Sequence, residues 1–156
     1  MKKKVYIETS VISYYNSRLS RDIITASHQQ ITQEWWDRQL RLYEIFISEV
    51  VFEEISKGDP LVAKRRIDSV KGFSFLEITP ETINLSREYY EALMLPDKAR
   101  LDAVHMALAV YHGMDFLLSW NFLHIVGAKP RAIIEQINYL KGIKTPILCT
   151  PEELMD

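Results

Sequence analysis

Five short apolar runs recur along the chain: "VYI" at 5–7, "YEIFIS" at 43–48, "FSFLEI" at 73–78, "FLLSW" at 116–120 and "PILC" at 146–149. Segments with helical spacing separate them. That alternation is the strongest constraint on the fold, because parallel strands need crossover connections of a dozen residues or more, usually a helix, and strands on this plan stack into one sheet covered on both faces. We therefore expect an α/β protein: a three-layer α/β/α domain with a mainly parallel central sheet, residues 1–156 forming a single domain.

The helical segments carry their own punctuation. A first helix is expected near Ser10. A second spans about 20–42, with Ile24, Ile31 and Trp35 at helical spacing, Ser20 as cap and Asp22 in the first turn. A short helix runs from Ser48 to near Gly58, and Pro60 is placed to start the next. Thr79 and Pro80 open a helix to about Met94, Pro96 and Asp97 break the chain, and a further helix reaches about His112. The last helix covers about 130–140, and Thr150 caps a final turn at "PEEL".

In open parallel sheets the functional crevice lies beyond the carboxyl ends of the strands. Glu8 follows the first strand directly, and Asn121 holds the equivalent place after "FLLSW". Asp115 precedes that strand and belongs at the opposite end. In the helix after Ser48, Val50, Val51, Phe52 and Ile55 define an apolar arc, and at about 100° per residue Glu54 falls inside it while Glu49 and Glu53 project away. Glu53 is nonetheless the rival to Glu54. The helix at 98–112 is apolar around most of its circumference and so is expected to be central, yet it carries Asp102 in its early turns, on a strip with His105, Ala109 and His112. A carboxylate on a core-facing side is costly unless a charge or hydrogen bond meets it. Three carboxylates and an amide at one end of a sheet make an all-oxygen set, which suits Mg²⁺ or Mn²⁺.

Composition limits the partners. The net charge of −2 gives no general phosphate-binding surface, so any RNA contact is local. Arg18, Arg21, Lys64, Arg65 and Arg66 offer such contacts, although charge runs are usually solvated helix faces. Trp35, Trp36 and Trp120 offer stacking surfaces for unpaired bases, against the commoner use of tryptophan in cores and interfaces. His105 is expected to support the site or the core, and His124 to touch phosphate or cap local structure. Cys149 is the sole cysteine, which excludes an internal disulfide or cysteine-based zinc site and fits a reducing cytoplasm. Glu8 interrupts the apolar core that a signal peptide beginning "MKKK" would need, and no run approaches the roughly 18 apolar residues of a membrane span.

The segments "YIETSV", "SEVVFEEISKGDP", "ARLDAVHMALAVYHGMDFLLSWNF" and the following "LHI" together resemble the PIN-domain ribonucleases, particularly the VapC-like toxins of toxin-antitoxin systems. The resemblance spans most of the chain, in the family's order and approximate spacing. Carried over by position, it makes Glu8, Glu54 and Asp102 the three acids, Asn121 a fourth position that is often acidic, and Thr9 or Ser10 the supporting hydroxyl. It implies Mg²⁺- or Mn²⁺-dependent RNA hydrolysis with a 3′-hydroxyl leaving group, catalysis and metal binding by Glu8, Glu54, Asp102 and Asn121, a homodimer, and a cognate antitoxin. Glu8 departs from the usual Asp by one methylene, and Asn121 adds no charge, so one metal in the resting site is the expectation. Two other readings stand beside it. One is a catalytically weakened PIN-like RNA- or protein-binding module. The other is a phosphohydrolase with a covalent carboxylate nucleophile, which Ser10 disfavours because such enzymes typically carry a second Asp two residues after the first.

Overall fold

The computed structural model describes residues 1–156. Five strands, β1 (Lys4–Ile7), β2 (Glu44–Ser48), β3 (Ser74–Leu76), β4 (Phe116–Leu118) and β5 (Ile147–Cys149), form one sheet in the order β3-β2-β1-β4-β5, every pair parallel. The chain winds outward from β1 to β3, then jumps back across the sheet to β4 on the other side of β1. Right-handed crossovers place connections of opposite travel on opposite faces. Helices α1 (Thr9–Asn16), α2 (Ile23–Arg38), α3 (Glu49–Ile55) and α4 (Pro60–Ser69) therefore cover one face, where α1 packs on α2, α3 and α4. Helices α5 (Pro80–Ala92), α6 (Arg100–Tyr111) and α7 (Ala128–Lys141) cover the other, with α5 packed along α6.

The sheet centre is dry. Val5, Tyr6 and Ile7 of β1, Ile47 of β2, and Leu117 and Leu118 of β4 are fully buried, and α6 is buried from Ala103 to Val110, as its all-round apolar sequence requires. Asp115 lies where expected, at the amino end of the strands, with its Oδ2 accepting from the Lys4 backbone N–H at 2.8 Å.

Several boundaries move from the sequence-based expectation. Asp22, not Ser20, caps α2: its Oδ2 accepts from the Thr25 N–H at 2.9 Å, while the Ser20 hydroxyl accepts from the Asp22 N–H. Ile24 therefore sits in an exposed first turn instead of the core, and only Trp35 of the three marker residues is fully buried. The helix ends at Arg38, and residues 40–42 form a separate 3₁₀ turn. At the other end of the chain α7 begins two residues before Pro130, which the first turn tolerates because its missing N–H has no intrahelical partner there. Strand β3 keeps only three residues of "FSFLEI", as suits an edge strand.

Leu117 pairs with Tyr6 on one side and Leu148 on the other at the middle of the sheet. Leu117→Ala should lower the unfolding free energy by about 2–5 kcal/mol, whereas Ile147→Ala, on the edge strand and largely exposed, should change it by about 0.5 kcal/mol or less; urea denaturation measures both.

Candidate active site at the β1–β4 switch point

Strands β1 and β4 are neighbours whose onward connections leave in opposite directions, and in open parallel sheets the end of the strands at such a switch point is where a ligand crevice is expected. Four of the sequence-selected residues reach it from four elements. Glu8 follows β1, and Asn121 follows β4 by three residues. Helix α6 returns antiparallel to the strands, which brings its first turn, with Asp102, to the same end. Glu54 comes from α3, immediately after β2.

Glu8 occupies the cap position of α1, yet its side chain makes no capping bond. Instead its buried carboxylate turns to the switch point, where Oε1 accepts from Ser10 Oγ and Ser119 Oγ, each at 2.6 Å. Each hydroxyl also accepts a backbone N–H, from Trp120 at 2.9 Å in the case of Ser10 and from Asn121 at 2.9 Å in the case of Ser119. The turn after β4 thus anchors the acid after β1. Sequence reasoning selected Ser10 and missed Ser119, whose position at the end of a strand gave no sign that it would be buried against a carboxylate.

Glu54, not Glu53, faces inward: Glu53 is exposed, and Glu54 Oε1 accepts from Thr9 Oγ1 at 2.7 Å and His105 Nε2 at 2.8 Å. Behind it runs a buried polar row in which His105 Nδ1 meets the Tyr6 hydroxyl at 2.7 Å and Tyr6 meets Ser48 Oγ at 2.7 Å. Burial disfavours the Glu54 carboxylate, but the His105 hydrogen bond and charge, with help from Thr9 and Lys57, outweigh it and hold Glu54 below its ordinary value. Burial likewise disfavours the His105 imidazolium, and the Glu54 hydrogen bond together with the charges of Glu8, Glu54 and Asp102 pushes it upward overall. One buried imidazole senses all three carboxylates. Burial also drives the Tyr6 hydroxyl far up, so it remains protonated.

Asn121 engages both ends of its amide. Its Nδ2 donates to Asp102 Oδ2 at 3.1 Å, and its Oδ1 caps the π-helical turn Phe122–Val126 by accepting from the His124 N–H at 3.0 Å. His124 Nδ1 donates to the same Asp102 oxygen at 2.9 Å. His124 is therefore a partner of the third acid as well as part of local structure.

The only buried side-chain nitrogen or oxygen atoms without partners are Trp35 Nε1 and Arg66 Nε. Glu8 Oε2, Glu54 Oε2 and Asp102 Oδ1 have no hydrogen-bond partner in the chain, so these three oxygens must reach solvent. They are the atoms available to water or a ligand. Nowhere, however, do three Asp, Glu, His or Cys side chains converge closely enough to hold a metal ion. One oxygen of each acid is already hydrogen-bonded, and the Asn121 oxygen accepts a backbone N–H. As arranged, the residues do not fit a preformed metal cage.

Among the other candidates, Trp35 is core, Trp120 is buried with Nε1 donating to Thr32 Oγ1 at 2.7 Å, and Trp36 stacks on Tyr15 with ring centres 4.3 Å apart. Lys64 pairs with Asp68 on an exposed face, while Arg18, Arg21 and Arg65 are exposed. No helix is long and apolar enough to cross a membrane. Neither protein-family models nor characterised proteins match the chain.

The His105–Glu54 pair has a definite pH signature. The raised His105 contributes stability that is complete below its unfolded value, about 6.5, and is lost as pH climbs through the higher folded value; the lowered Glu54 contributes stability that is complete above about 4.5 and is lost as pH falls through the lower folded value. Both contributions are complete between those two values. Urea midpoints measured against pH should show a shoulder across that window in the native chain, and His105→Gln should flatten it.

Proposed function

We propose that the chain is a hydrolase acting on RNA phosphodiester bonds, an endoribonuclease of the PIN kind. One observation carries the reading: the three acids selected from sequence lie at the carboxyl end of a parallel sheet beside its topological switch point, each held by one oxygen with the other left open. A crevice built this way can receive a phosphodiester and order a water beside it. In this reading Glu8 Oε2 and Asp102 Oδ1, the oxygens without partners in the chain, orient that water and take its proton, while the hydroxyl and amide donors on Glu8 Oε1 and Asp102 Oδ2 keep both carboxylates from rotating away. Glu54, bonded to His105, holds negative charge at the crevice wall.

The resemblance brings a Mg²⁺ or Mn²⁺ requirement with it. A divalent cation would supply charge neutralisation and Lewis acidity at the phosphate. If such a cation binds, Glu8 and Asp102 would be the residues to hold it, each through its unpartnered oxygen, and these two alone make no preformed cage. The role as toxin, the cognate antitoxin, the homodimer and the cytoplasmic location rest on the resemblance and the cysteine content.

A second reading has its own support. The lack of three side chains placed to hold a metal ion suits a binding module that holds RNA or protein without turnover. The two separate cleanly on a labelled single-stranded RNA incubated with Mn²⁺. The nuclease should cleave it, EDTA should stop cleavage, and Glu8→Gln and Asp102→Asn should each reduce the rate by about a hundredfold or more with unchanged thermal unfolding. Binding without cleavage in the native chain would select the module, and full activity in both variants would remove the assignment.

A further inference from the structure

Next to the acids lies an aromatic stack that the proposed chemistry does not use. Trp120 stacks with His28, at 4.1 Å and 15°, and lies near Tyr14, at 6.3 Å and 30°. Phe122 closes the outer side, 6.0 Å from His28 with the rings inclined at 47°, and is half exposed. Trp120 cannot drift, because its indole N–H is held by Thr32 and its backbone N–H by Ser10, the same hydroxyl that donates to Glu8. A single serine therefore ties the stack to the acid.

We propose that His28 and Phe122, backed by Trp120, form a subsite that stacks one unpaired nucleobase of the RNA beside the Glu8 carboxylate. The inference rests on the ribonuclease reading and extends it to how the strand is gripped. Three observations favour a base over an apolar peptide. The outward surfaces are flat rings with an imidazole among them, matching the π-face and polar edge of a base. Gln29, adjacent to His28, pins the α1–α2 loop through Ser17, the Arg18 carbonyl and the Ser20 N–H, and that loop carries the exposed Arg18 and Arg21 as phosphate partners. Leu123, the exposed aliphatic neighbour, turns instead to a separate hollow with Met94 and Ile133. With a net charge of −2, the chain gains little from general phosphate attraction, so stacking is the natural source of affinity.

The test is binding of a short, end-labelled single-stranded RNA in EDTA, followed by fluorescence anisotropy, alongside a series of the same strand with one abasic nucleotide moved through each position. Phe122→Ala and His28→Ala should each weaken the intact strand by about tenfold, and Phe122→Tyr should restore it. In the native chain one abasic position should cost a similar factor, and in Phe122→Ala that position should cost little more, since the two changes remove one interaction. Both alanine variants binding the intact strand within about twofold of the native chain, while the native chain still binds and cleaves, would overturn the subsite and leave the nuclease standing. A native chain that neither binds nor cleaves would overturn both. Loss of self-association in Phe122→Ala with RNA affinity intact would assign the surface to a second copy of the chain and overturn the subsite.

Discussion

Everything at the candidate site depends on the parallel pairing of β1 with β4. Val5, Tyr6 and Ile7 lie opposite Phe116, Leu117 and Leu118, and the ladder continues one step beyond the strands, where the Glu8 N–H donates to the Leu118 carbonyl at 3.0 Å. That last bond fixes where Glu8 leaves the sheet. From the same level the chain after β4 turns away through Ser119, Trp120 and Asn121, each of which is bonded directly or through a hydroxyl to a residue of the crevice. A slip of one residue in this pairing would turn every side chain of β1 to the opposite face and break its packing on both, so the core itself enforces the register of the polar end.

The polar residues form two connected groups with different characters. Ser10, Glu8, Ser119, Asn121, Asp102 and His124 make a chain along the crevice floor, each link using a short donor from a residue close to a strand or helix end. Glu54, His105, Tyr6 and Ser48 run inward from the wall to the sealed interior. Thr9 bonds to Glu54 while its neighbour Glu8 belongs to the floor, so two consecutive residues join the groups. Low dielectric strengthens each bond in such a network and makes any broken member expensive, which accounts for so many hydroxyls in an otherwise apolar setting.

The architecture was legible in the sequence because strand and helix periods alternate along the whole chain; Glu54 and Asp102 stood out as carboxylates on apolar helix faces, and Glu8 and Asn121 by their place just after strands. The wheel of α3 even separated Glu54 from Glu53. What stayed hidden has a common physical cause: Ser119, Ser48 and Tyr6 are ordinary strand residues in sequence, and their importance comes from partners on other elements, 111, 42 and 99 residues distant for the bonds Ser119–Glu8, Tyr6–Ser48 and Tyr6–His105. The cap of α2 was misread for a local reason, since Ser20 and Asp22 both suit the position and the side chain that reaches the Thr25 N–H decides it. Asn121 follows β4 as its place after "FLLSW" indicates, but which way its amide points could not be seen without His124 and Asp102 in view.

That amide has a consequence for how the crevice holds its shape. An aspartate at 121 would set two carboxylates against each other at about the distance where the Asn121 nitrogen now meets Asp102, 3.1 Å, and would need a counter-ion merely to keep them there. With asparagine the contact is attractive, and one side chain ties Asp102 on α6 to the turn after β4. The shape of this end of the sheet is thereby set by bonds among its own residues, and the link between α6 and the turn after β4 needs no bridging charge.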